Sequence, residues 1–292
     1  MSDAEYEVRN VLEARARLGE GPVWDEMTQT LFWVDIYNHR VHQFFPERES
    51  SRSFDVGEVV GSLAVIDPQT LLLALRHQLA RLDLATGEVE RLITVEEGKP
   101  RNRLNDGKCD SRGRFWIGSM SREEGEAALY RYDPDGSLHV METGLTISNG
   151  LGWSPDGKTF YLTDSPEKTI YAYDFDAATG EISGRRVLVD LSGESSVPDG
   201  LSVDGEGHIW SAQWDGWCVI RFAPDGREVL RVPMPVKRPT SCAFGGTERT
   251  QLYVTSASID MSEEQIEENV SAGDLFCLEA GVAGLTFHHF GG

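Results

Sequence analysis

The sequence predicts an all-β fold, a six-bladed β-propeller, and three observations carry that prediction. The stretch Ile147 to Asp164 reads as one β-hairpin: an apolar strand ending at Trp153, the turn Ser154-Pro155-Asp156-Gly157, and a second strand from Thr159 to Thr163. Pro presets φ and Gly supplies a positive φ, so Pro-Asp-Gly between two apolar runs reverses the chain. The unit recurs. With Trp153 as anchor, equivalent anchors fall at Trp24, Ile66, Cys109, Val203 and Phe244, at successive spacings of 42, 43, 44, 50 and 41 residues. A turn follows each anchor and a strand follows each turn, with further strands after most of them. Four short strands in each repeat of about 40–50 residues mark a propeller blade, and six anchors make six blades. A two-sheet sandwich has no reason to keep so regular a period.

One propeller domain is expected over residues 1–292, with blades starting near 18, 59, 101, 145, 197 and 238. Ahead of them, residues 5–17 carry Tyr6, Val8, Val11 and Leu12 among charges. They read as an edge strand that closes the ring against the last blade. Blade one runs from Leu18 to about Phe54, and blade two from Val59 to Ile93. Blade three begins after Pro100 at the basic run Arg101-Asn102-Arg103. It carries an insertion, Ser119 to Glu126, between its second and third strands. Insertions on one face of a repeat map to loops, often the binding loops. Blade four holds the hairpin described above. Ser192 to Pro198 lengthens the approach to blade five. In blade six, the charges of Ser262 to Glu268 read as a short exposed helix or ordered loop. On a strand His288 and His289 would point to opposite faces, and they are read as structural.

Six polar residues stand in one register. The positions four before the anchors are Glu20, Ser62, Asn105, Asn149, Asp199 and Thr240, each opening the innermost strand of a blade. Innermost strands surround the axis, and period-two geometry puts equivalent positions on equivalent faces. Two carboxylates, two carboxamides and two hydroxyls are therefore aimed at one small volume. A single Asn or Asp before Gly is an ordinary turn former; six polar residues in one register are not explained as turns. Unpaired buried carboxylates are costly, so two near an axis require a cation or a shared proton. An oxygen-rich cluster suits Ca²⁺, Mg²⁺ or Mn²⁺, and Zn²⁺ and Fe²⁺ also accept carboxylates. Positions left open for water and substrate would make such a metal site in the central channel a catalytic Lewis acid. A structural Ca²⁺ plug on the axis is the alternative. The chain has no G-x-S-x-G elbow, no H-E-x-x-H helix and no phosphate loop.

Composition narrows the partners. The 292 residues are 40% hydrophobic with a formal net charge of −21, which disfavours nucleic acid and anionic membranes. The acidic start, Met1 to Glu7, lacks the apolar region of a secretory signal. Cys109, Cys218, Cys242 and Cys277 show no C-x-x-C spacing and sit in apolar runs. They read as core residues in a reducing compartment, and a cytoplasmic address follows.

Four stretches carry a family resemblance: Leu18-Gly19-Glu20-Gly21-Pro22-Val23-Trp24, Arg103-Leu104-Asn105-Asp106-Gly107-Lys108, Ile147-Ser148-Asn149-Gly150 and Pro198-Asp199-Gly200. In order, and over nearly the whole chain, they resemble the senescence marker protein-30 (regucalcin)/gluconolactonase family. The resemblance implies a six-bladed propeller that hydrolyses a sugar lactone, an aldono-1,4- or 1,5-lactone, to the aldonic acid. It implies one divalent metal ion, Ca²⁺ ahead of Zn²⁺, Mn²⁺, Mg²⁺ or Fe²⁺, with Glu20, Asn149 and Asp199 as ligands. Arg103 would hold substrate oxygens, Asn105 would face the substrate, and Glu123 would contact sugar hydroxyls. Asp199, a ligand beside the activated water, is the expected general base. Two other readings stand beside this one: a non-catalytic calcium-binding regulator, and an ester or phosphotriester hydrolase on the same propeller. The polar ring favours a polyhydroxylated substrate over the apolar pocket that the last would need.

Overall fold

The structure, a computed structural model, describes residues 6–292. Met1 to Glu5, and with them the first residue of the expected edge strand, lie outside the described residues. The described chain is nearly all strand, arranged as six four-stranded antiparallel sheets in a ring, a six-bladed β-propeller. The innermost strands are Gly19–Asp25, Val60–Asp67, Arg103–Cys109, Ser148–Trp153, Val197–Val203 and Pro239–Gly245. In blade six the chain supplies three strands, and the N-terminal strand Arg9–Leu12 pairs with Leu275–Glu279 to complete the sheet. Sequence-distant ends are thus clasped in one blade.

Burial follows the radial position of each strand. The innermost strand of blade one is buried at every residue, while the outermost strand of blade four, Glu181–Asp190, is mostly exposed. Apolar faces of adjacent blades pack on one another: Trp116 and Leu129 of blade three meet Phe160, Leu162 and Tyr173 of blade four. The Trp116 and Phe160 rings stand 5.0 Å apart. Full burial of such side chains stabilises the ring by roughly 1.5–3 kcal/mol each. All four cysteines are buried and free. Helix Glu263–Glu268 is short and exposed, held by a reciprocal capping box between Ser262 and Gln265. No helix among the described residues is long and apolar enough to cross a membrane.

Two features of the inner strands shape the channel. Every one of them changes register against its neighbour near its start: between Glu20 and Val23, Val60 and Ser62, Leu104 and Gly107, Asn149 and Leu151, Pro198 and Leu201, and Pro239 and Ser241. Such bulges bend a strand and release it from strict alternation. The inner strands also approach closely. A Cβ on Gly150 would lie 2.6 Å from the Asp199 carbonyl oxygen, so only glycine lets blades four and five meet there.

The opposite end of the inner strands is turn chemistry. Asp25, Asp67, Asp110 and Asp204, each directly after its anchor, accept the backbone N–H two residues on. The C-terminal segment crosses this far face. Gly205 N donates to Ala283 O, Gly284 N to Arg249 O, Phe290 N to Val65 O and Gly291 N to Gly113 O. His288 and His289 lie in this segment and not in a strand; His289 Nε2 is 3.1 Å from Asp25 Oδ1.

Candidate active site in the channel

Four of the six ring residues, Glu20, Asn105, Asn149 and Asp199, are buried around one volume at the bulged end of the inner strands. Thr240 belongs elsewhere. Its hydroxyl donates to Gly19 O at 2.5 Å and bonds Thr255 Oγ1 at 2.8 Å, tying blade six to blade one. Ser62 Oγ is buried without a partner, beside Gly107.

Asn149 is oriented by a chain of hydrogen bonds. Ser165 Oγ donates to Pro198 O at 2.7 Å, which commits its proton. It can then only accept from Asn149 Nδ2, at 3.1 Å. The amide oxygen Oδ1 is thereby turned the other way, where it is buried with no partner. Asp199 Oδ1 is buried and unpartnered too. Glu20 Oε2 accepts only a local bond from Gly21 N at 3.1 Å among the described residues.

Burial dominates the electrostatics of the site. Burial, then the charges of Asp199 and Asp106, push the Glu20 carboxyl well above the ordinary carboxylate range. Burial, then the charge of Asp106, does the same to Asp199, and the charge of Arg103 is among the influences that offset part of it. Two bare charges in one buried space repel, so the charge of Asp199 favours the protonated form of Glu20.

Arg103 is the cation whose charge acts on both carboxyls. Its Nη1 donates to Asn105 Oδ1 at 2.5 Å and to Leu104 O at 3.1 Å, and the guanidinium stands 5.6 Å over the Tyr37 ring. Nη1 is therefore anchored, while Nε is buried with no acceptor among the described residues. Asn105 has both ends of its amide engaged, since Nδ2 donates to Ser148 O at 2.9 Å. It holds Arg103 in place. Glu123 lies apart, in the exposed loop at 121–126, ion-paired with Arg101. That loop follows Met120, the strand partner of Arg103, and so opens on the same face.

Asp106 was not among the ring positions. It is buried, accepts from Gly107 N at 2.8 Å, and its charge acts on both Glu20 and Asp199. Strict alternation would turn it away from Asn105; the bulge between Leu104 and Gly107 lets both face inward. The signal available was the acid itself, next to a ring residue in Asn105-Asp106-Gly107-Lys108.

A second acidic cluster, Asp204, Glu206 and His208, brings three potential ligand atoms together at the far-face turn of blade five. Arg221 already fills it, with Nη2 at 2.6 Å from Asp204, 2.7 Å from Glu206 and 3.1 Å from His208 Nδ1. A guanidinium supplies the positive charge there, so the cluster is a structural clamp.

The donor set in the channel fits a divalent cation. It is all oxygen, it has surplus negative charge, and two of its atoms are buried without partners.

A family model described as SMP-30/Gluconolactonase/LRE-like region matches residues 18–258. Regucalcin of Xenopus laevis is 36% identical over 291 residues, covering 97% of this chain and 97% of the relative. Pentonolactonase XacC of Haloferax volcanii is 35% identical over 283 residues, covering 95% and 96%. The crystal structure of a calcium-binding protein, regucalcin, from Agrobacterium tumefaciens superposes with a TM-score of 0.94 at 31% identity, covering 98% of each chain.

Proposed function

This chain belongs to the SMP-30/gluconolactonase/LRE-like family and is a lactonase in kind, and from that premise we propose that it opens an aldono-1,4- or 1,5-lactone to the aldonic acid with one divalent cation. The observation that carries the reading is the buried pair Glu20 and Asp199 beside the free Oδ1 of Asn149. These three residues would hold the cation. Ca²⁺ suits the all-oxygen set, and Zn²⁺, Mn²⁺, Mg²⁺ and Fe²⁺ are the other candidates. When bound, the cation supplies Lewis-acid polarisation of the ester carbonyl and eases loss of a proton from water.

The chain's own groups do the rest. Arg103, anchored by Asn105 and set over the Tyr37 ring, holds substrate oxygens and fixes the lactone ring. Asp199 accepts the proton of the attacking water at its unpartnered Oδ1, since a desolvated carboxylate is a stronger base than an exposed one. Glu123, on the open face, meets sugar hydroxyls. With a net charge of −21 we assign no nucleic-acid or membrane partner, and the four free thiols support a cytoplasmic address.

The test is hydrolysis of glucono-, galactono-, xylono- and arabinono-lactones by chelated protein, then with each cation restored, against the spontaneous rate. Cation-restored turnover of one lactone is expected. Binding of Ca²⁺ with no turnover of any lactone would instead make the protein a calcium-binding regulator.

A further inference from the structure

The far end of the channel holds a cavity of about 440 Å³ that the lactonase chemistry does not use. Lys108, Trp153, Phe175, Ser202, Thr286 and Phe287 line it. They come from blades three, four and five and from the C-terminal segment, so the cavity forms only where these elements pack together. Its volume lies in the range of small-molecule sites, roughly 300–1,000 Å³, and its mixture of apolar walls and a few polar groups is theirs too.

The polar groups gather at one spot. Lys108 Nζ donates to Leu201 O at 2.9 Å, directly beside Ser202. An ammonium has three donors, and this one has a single hydrogen-bond acceptor among the described residues. The side-chain hydroxyls of Ser202 and Thr286 make no hydrogen bond among the described residues, although both line the cavity. The acids nearby leave the donors of Lys108 open. The charge of Asp106 acts on Lys108, but Asp106 makes no hydrogen bond to it among the described residues and accepts from Gly107 N, and Asp156 at the rim is tied into its own turn by Ser154 Oγ and Lys158 N. Aromatic faces form the remaining wall, and Lys108 Nζ stands 5.5 Å from the Phe287 ring centre.

We propose that this cavity binds a small organic monocarboxylate, its carboxylate on Lys108 and Ser202 and its body between Trp153 and Phe287. Two sources share that chemistry: an aldonate, and a planar aromatic acid. The site does not include Glu20, Asn149 or Asp199, so its failure leaves the lactonase reading untouched.

The full-length, cation-loaded protein would be titrated calorimetrically with sodium gluconate, sodium benzoate and, as a neutral control, benzyl alcohol. Saturable binding of at least one carboxylate is expected, none of the alcohol, and a loss of roughly tenfold in affinity in Lys108→Gln. Gluconate binding sensitive to Lys108→Gln would identify the sugar-acid source, and benzoate binding the aromatic one. Ser202→Ala and Thr286→Val, each removing one hydroxyl, should weaken binding severalfold, and they replace Lys108→Gln if circular dichroism shows that it does not fold. No saturable binding of either acid, equal binding of benzyl alcohol, or unchanged affinity in the folded variants would overturn the proposal.

Discussion

Glu20 and Asp199, from blades one and five, meet in one buried volume where two negative charges cannot both persist without a partner. Both carboxyls are raised above the value of about 4 that they have in an unfolded chain. The folded, cation-free protein therefore holds more protons than the unfolded chain from about pH 4 up to the raised values. Its stability is full below that window and falls as pH rises through it. Cation binding needs the deprotonated ligands, so the gain in Tm on adding Ca²⁺ should grow as pH rises above about 4 through the raised range. Calorimetry of chelated and Ca²⁺-loaded protein checks this; an equal gain at every pH would remove Glu20 and Asp199 from the cation site.

Asp199→Ala should lower lactone turnover by at least roughly 10²–10⁴-fold, the range of general-base catalysis. The same change removes one of two repelling buried acids, so the chelated variant should melt no lower than chelated wild type. Full activity in the folded variant would sink the base assignment.

Asn105 acts through Arg103, because both ends of its amide are engaged inside the protein. Arg103→Ala should chiefly raise KM, and Arg103→Lys should not restore it, since an ammonium lacks the planar fork. Adding Asn105→Ala to Arg103→Ala should cost little more than Arg103→Ala alone. Additive losses would mean that Asn105 touches substrate independently.

Ser165 has a role that can be separated from catalysis. Its proton is committed to Pro198 O, and its lone pair turns the amide of Asn149. Ser165→Ala should weaken Ca²⁺ binding about 10–100-fold in calorimetry, as loss of a ligand's supporting partner does. Unchanged affinity would leave Asn149 oriented by packing alone.

The fold was legible because each blade is specified locally. A turn aspartate or glycine recurs after each anchor, and apolar strands recur at a nearly regular spacing, so repeat counting reaches six blades without long-range information. Glu20, Asn149 and Asp199 were legible for the same reason, as equivalent positions of a repeat. Thr240 shared that register, yet its hydroxyl ties Gly19 to Thr255, a partnership that depends on which blades adjoin. Asp106 was hidden by a bulge, since a sheet register change is a property of two strands and not of one.

By itself, then, the sequence determined the blade count, the inner-strand positions and the acidic, oxygen-rich character of the channel, all of which follow from short-range turn chemistry and alternation. Only the tertiary structure decided which side chains share a volume. It set Asp106 beside Glu20, filled the Asp204 cluster with Arg221, and brought Lys108, Ser202 and Thr286 to one cavity. The Arg221 clamp needs blade five folded, whereas the Asp106–Glu20 and Lys108–Ser202 groupings join residues far apart in the chain, and the cavity also needs the C-terminal segment on the far face.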